Sequence, residues 1–150
     1  MNVEFRPPEN ADIPSIIPMM EQLYKLDGKP LDTNRAKLAL ATLIEHPHYG
    51  RIWLIVRDHA NVGYVVVTYG YSVELGGVYL DVDELLISAG HRRQGIGRTA
   101  LAFAETYAKE HRIDFIVLEV SNSNDEARSF YRSLGFSETN ELMMTKSIAK

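Results

Sequence analysis

The sequence contains no cysteine. That absence excludes disulfide staples and thiol nucleophiles, and it makes a reducing cytoplasm the expected setting. Long apolar runs are also missing. The longest are strand-length, too short for a bilayer span, and Met1-Asn2-Val3-Glu4 does not open like a secretory leader. Positive charge is in short supply overall. Sixteen Lys and Arg against 20 Asp and Glu leave a net charge of -4, which argues against broad nucleic-acid binding. There is no internal repeat, low-complexity tract or linker. What remains is 150 residues, 45% hydrophobic, enough to bury a substantial core in a single domain spanning residues 1–150.

The periodicity predicts a short strand at Val3 to Arg6, then a helix capped by Asp12 that buries Ile16, Ile17, Met20 and Leu23. Gly28-Lys29-Pro30 ends it. Thr33 starts a second helix with Leu38, Leu40, Ala41 and Ile44 on its buried side. Ile52 to Val56 and Val62 to Tyr71 read as strands joined by a turn over Asp58-His59-Ala60-Asn61. A third long strand is predicted over Val78 to Ile87, and the dense apolar run Ile113 to Val120 looks like a buried parallel strand. Asn124 to Leu134 has helical spacing, and Met143 to Ile148 is expected to close the sheet.

Scarce as it is, the positive charge is concentrated in one place. Leu85, Leu86 and Ile87 run into Ser88 to Gln94, followed by Gly95-Ile96-Gly97-Arg98 and an amphipathic helix read as Arg98 to His111. The first amides of a helix lack intrahelical partners and sit at the positive end of its dipole, so such a turn suits a phosphate. Arg92, Arg93 and Arg98 add three charges to it, which points to a pyrophosphate. Gly95 to Ala100 also fits the dinucleotide pattern G-x-G-x-x-A, with Glu119 at roughly the required ~20 residues. The context is wrong for that fold. Seven residues, Ser88 to Gln94, separate strand from glycine, and the unit begins past residue 80 rather than heading a series of βαβ repeats.

A second segment, Asn124-Asp125-Glu126-Ala127-Arg128-Ser129-Phe130-Tyr131-Arg132-Ser133-Leu134-Gly135-Phe136, has its own local logic. Ser123 can cap a helix there, Asp125 and Glu126 suit its positive end, and Ala127, Phe130, Tyr131 and Leu134 share one face. Gly135 is suited to the left-handed stop, and Phe136 is expected to restart a strand. Arg92-x-x-Gly95-x-Gly97 resembles the acetyl-CoA loop of the GNAT N-acetyltransferases. The second segment is similar to that family's N-x-x-A-x-x-x-Y-x-x-x-G-F motif. The resemblance covers nearly the whole chain. It implies an α/β (α+β) fold with a mixed central sheet of about six to seven strands flanked by about four helices.

That resemblance also implies a chemistry: an amine attacks acetyl-CoA directly, in a ternary complex. Leu85, Leu86 and Ile87 would meet the pantetheine, Arg92 to Arg98 (with Gln94 and Ile96) the pyrophosphate, and Asn124 the CoA or merely the helix start. Tyr131 would be the general acid, since a phenol near its usual pKa of about 10 still holds a proton for the leaving thiolate. An alkylamine with a pKa of about 10.4 costs about 4–5 kcal/mol to deprotonate at pH 7, so a carboxylate base is needed. Glu84 ranks first and Glu119 second. Asp81 and Asp83 lie on the strand of Glu84, and an ion pair with an arginine is the structural alternative for either glutamate. Plain alternation sets Glu84 on the opposite face from Asp81 and Asp83, unless a bulge shifts the phase. The histidines lack metal spacing, so no metal is expected. Tyr24, Asp27, Asp32, Tyr69, Tyr71 and Glu74 suit a cationic acceptor, either a small-molecule amine or a peptide amine. A homodimer is compatible with this reading. The alternatives are a non-catalytic acyl-CoA-binding module and, further off, a dinucleotide-dependent oxidoreductase.

Overall fold

The computed structural model describes residues 2–149. The elements are β1 (Glu4–Arg6), α1 (Ile13–Leu26), α2 (Thr33–Glu45), β2 (Gly50–Arg57), β3 (Ala60–Ser72), β4 (Gly77–Ile87), α3 (Ile96–Glu110), β5 (Ile116–Val117) and α4 (Asp125–Ser133). The chain falls into two compact units divided after Glu119. The first holds the sheet and α1 to α3, and the second holds α4.

In the first unit the strand order is β1-β2-β3-β4-β5, antiparallel as far as β4 and parallel where β5 joins. This is the mixed sheet with four helices that the sequence implied, though with five strands among the described residues rather than six or seven. Both shortfalls lie at the C-terminal side. Ile113 is buried and its amide still bonds the Ala108 carbonyl, closing α3, so only Ile116 and Val117 reach register with Leu80 and Asp81. Among the described residues no strand forms over 143–148 or after Phe136, and Met143, Met144 and Ile148 are exposed. A strand needs ladder bonds and a packed face, and those segments have neither.

Helices cover both faces of the sheet. On one, α1 and α2 bury Ile16, Ile17, Met20, Ala36 and Leu40 against Ile52, Leu54, Tyr64, Val66 and Leu86. On the other, Ile96 and Ala100 of α3 meet Ile55 and Val62, with Leu85, Ile87 and Phe5 around them. Leu38 proves to be exposed, because it lies about 200° around α2 from Leu40. The α2 cap is Asp32, which accepts from the Arg35 amide. Asp12 precedes α1 but does not cap it: its carboxylate takes both Arg6 guanidinium nitrogens at 2.9 and 3.0 Å and the Glu9 amide at 2.7 Å. The β2–β3 turn is tighter than expected. Ala60 and Asn61 already pair with Arg57 and Val56. Asp58 and His59 carry the turn at φ 50° and 64°, the two positive angles that match the twist of a hairpin.

Candidate active site

The site grows from an irregularity in β4. Val65 pairs with Leu85 and Val66 with Glu84, but Val67 pairs with Val82, so Asp83 has no opposite number. This extra residue is a bulge, and it resets the strand's alternation. Residues directly opposite in an antiparallel ladder share a face. Asp81 faces with Thr68 and Glu84 with Val66, so both carboxylates lie on the α1/α2 side of the sheet. The simple two-residue alternation, which separates them, is therefore wrong here.

Glu84 is bound at both oxygens. Tyr24 of α1 donates to Oε2 at 2.7 Å, and Tyr64 of β3 donates to Oε1 at 2.8 Å. Burial raises the Glu84 pKa, the two phenol hydrogen bonds oppose the rise, and Asp83 and Asp27 add to it. Tyr24 and Tyr64 are themselves driven well above the usual phenol range, by burial first and by Glu84 beside them. Asp81 is pushed up to about 6, by burial and then by the charges of Asp83 and Glu119. Asp83, though exposed at its surface, is also raised by desolvation, with Lys29 working against it. Glu119 itself is exposed and lies just beyond β5. Where the structural alternative for Glu84 was an ion pair with an arginine, its two oxygens are instead held by two tyrosines. Sequence reasoning placed Tyr24 near the acceptor but missed its bond to Glu84, and it missed Tyr64 altogether. The available signal was a tyrosine inside an apolar strand, whose hydroxyl must find a buried partner.

Past Asp81 no described strand pairs with the outer edge of β4. That open edge leads through Leu85, Leu86 and Ile87 into the basic turn. Leu86 is buried in the α1/α2 core, while Leu85 and Ile87 pack toward α3. The loop is held by its own side chains: Arg92 Nε donates to the Ile87 carbonyl at 2.8 Å, and Arg57 reaches Gln94 Oε1 at 2.5 Å. Gly95 takes φ 81°, a left-handed angle that only glycine adopts without strain, and α3 starts at Ile96, two residues earlier than Arg98. Gly95, the N-cap of α3, brings no side chain to the first amides of the helix. Arg93 also sits at positive φ, 59°, which a non-glycine residue holds only at some cost. Arg92, Arg93, Gln94 and Arg98 are exposed. The Ile96 side chain belongs to the core, which leaves its backbone as the part a ligand can meet.

Asn124 and Tyr131 lie in the second unit. Asn124, not Ser123, caps α4, its Oδ1 accepting from the Ala127 amide at 3.1 Å. Tyr131 is half-buried beside Phe130 and Phe136, with ring centroids 5.4 and 5.8 Å away. Gly135 takes φ 94° after the helix, and the Phe136 amide returns to the Tyr131 carbonyl. Arg128 grips Glu138 with two bonds of 2.9 and 3.0 Å, fixing the chain beyond the helix.

Residues 17–136 match the family model described as the acetyltransferase (GNAT) family. N-acetyltransferase family 8 member 3 of Rattus norvegicus is 31% identical over 98 residues, which cover 65% of this chain and 43% of that protein. Streptothricin acetyltransferase of Streptomyces lavendulae is 37% identical over 57 residues, 38% of this chain and 30% of the other. The chain spans less than half the length of either curated relative. Among solved structures, a possible acetyltransferase from Clostridium difficile 630 superposes with a TM-score of 0.87 at 21% identity, covering 100% of both chains.

Proposed function

Since the chain belongs to the acetyltransferase (GNAT) family, we propose that it transfers the acetyl group of acetyl-CoA to a primary amine by direct attack within a ternary complex. The observation that carries this reading is the continuous run from the open edge of β4 through the basic turn to the uncapped start of α3. The strand edge offers backbone groups to an extended pantetheine, and the turn and helix amides offer donors and positive charge to the pyrophosphate.

In this proposal Glu84, directly or through water, takes the proton that the attacking ammonium must lose. Its half-buried setting raises its pKa above the ordinary carboxylate value, which lessens the cost of that transfer. Nitrogen then bonds to the acetyl carbon, and β4 amides stabilise the oxyanion. The carbon–sulfur bond breaks, Tyr131 gives its proton to the departing thiolate, and the second proton of the new C–N nitrogen passes to the phenolate, leaving a neutral amide and a restored phenol. Glu119 is the second candidate for base. Asp81 and Asp83 add negative charge near Glu84 and favour a cationic acceptor over an acidic one. The proposed setting is the cytoplasm.

The test is a thiol-release assay with acetyl-CoA over polyamines, aminoglycosides, streptothricin, amino acids and short peptides, run on the parent and on Tyr131→Phe. Turnover is expected with a cationic amine, falling on the order of 10²-fold or more in the variant. Turnover confined to acidic or hydroxyl acceptors overturns the amine assignment, and a fully active Tyr131→Phe removes the acid from the scheme.

A further inference from the structure

We propose that Tyr24 and Tyr64 are positioning residues that act through Glu84: from α1 and β3 they each grip one carboxylate oxygen and hold the group in a single orientation. This rests on reading Glu84 as the base.

Geometry carries the argument. The bonds are 2.7 and 2.8 Å, within the short range of hydroxyl donors to a carboxylate. They come from separate elements, so the plane of the carboxylate is set from two sides. Tyr64 is fully buried and needs only one acceptor, which a backbone carbonyl could supply. A carboxylate in its place is costly unless its charge is wanted. The groups that act on Glu84 are Tyr64 from β3, Tyr24 from α1, Asp27 just beyond α1, and Asp83 beside it on β4.

These neighbours pull in opposite directions. Burial and the two aspartates favour the protonated acid, whereas the two phenols favour the carboxylate. Both phenols resist ionisation, so they remain donors across any pH at which the protein would work. The tyrosine pair therefore keeps a half-buried glutamate charged and ready to take a proton. It also ties that state to the position of α1, the helix beside the proposed acceptor site.

The experiment follows the carboxyl carbon of Glu84 by ¹³C NMR titration and, in parallel, the acidic limb of kcat/KM for the best amine. It compares the parent, Tyr24→Phe and Tyr24→Phe/Tyr64→Phe, with Glu84→Gln to assign the resonance. Loss of one hydrogen bond to a charged group should move the Glu84 titration and the acidic limb up together, by about one pH unit in Tyr24→Phe. The double variant should move them further. Tyr24 is only partly buried, so the single variant is expected to fold even where the double one does not. An unmoved Glu84 titration in Tyr24→Phe overturns the proposal. A titration that moves while the limb of kcat/KM stays put overturns the reading of Glu84 as base, and the positioning role falls with it.

Discussion

Asp81 stands on β4 between Thr68 of β3 and Val117 of β5 with a pKa near 6, about two units above an ordinary aspartate, and burial is the main reason. A carboxyl group that is harder to ionise folded than unfolded favours the folded state while it is protonated. Its contribution is complete below about pH 4 and is lost as the pH rises through about 6. Asp83 and Glu84 shift in the same direction, so the cluster weakens the fold as it charges. Asp81→Asn is expected to remove its share of that loss. Unfolding free energies from urea melts should differ little between parent and variant at pH 4. At pH 7 the variant should be more stable by about 1 kcal/mol, a figure reduced for the solvent that still reaches this group. Identical pH dependence in the two proteins would show that Asp81 is not strained by its surroundings. The strain is tolerable if the charge serves a cation, because an ammonium group bound nearby would relieve it.

At the scale of elements, the proposed pyrophosphate site rests on the first turn of α3. Gly97→Asp separates folding from binding there. A carboxylate in the first turn of a helix is favourable by about 0.3–1 kcal/mol, so α3 should form at least as well as before. The same charge confronts any phosphate approaching the helix amides. Calorimetry at low salt should show CoA affinity falling at least tenfold with the melting temperature preserved; unchanged affinity would remove the pyrophosphate from this turn. That turn was legible in the sequence because everything that makes it is local: apolar strand, basic loop, glycine, amphipathic helix. The β2–β3 hairpin and the α4 stop at Gly135 were legible for the same reason. The Asp83 bulge was not, since alternation carries no record of where a ladder skips a residue. Nor was the Tyr24–Glu84 bond, whose partners are 60 residues apart in sequence. β5 and the segment over 143–148 were overread, because apolar composition signals a wish to be buried and not the presence of a neighbouring strand.

For the molecule as a whole, the informative contrast is between a net charge of -4 and a basic turn that carries three arginines within seven residues, Arg92 to Arg98. A chain that repels anions on average but attracts them at one place should bind a polyanion selectively and with marked salt dependence. Acetyl-CoA at about 100 times its Kd should stabilise the fold by about 2.7 kcal/mol. In a chain of this size that corresponds to a rise in melting temperature of roughly 5–10 °C. The rise should shrink as salt is raised, because the charges of an exposed loop are screened. NAD and NADP also carry a pyrophosphate, so charge alone does not set them apart from CoA. What sets them apart is the rest of the ligand: pantetheine is a thin, extended amide chain that suits an open strand edge, and a nicotinamide riboside is not. A thermal-shift series over the three ligands at two salt concentrations therefore tests strand and turn together. Stabilisation by acetyl-CoA well above that by NAD and NADP is the expected result. Equal stabilisation by all three would mean that the turn binds phosphate without the β4 edge taking part, and the transferase reading would lose its structural support.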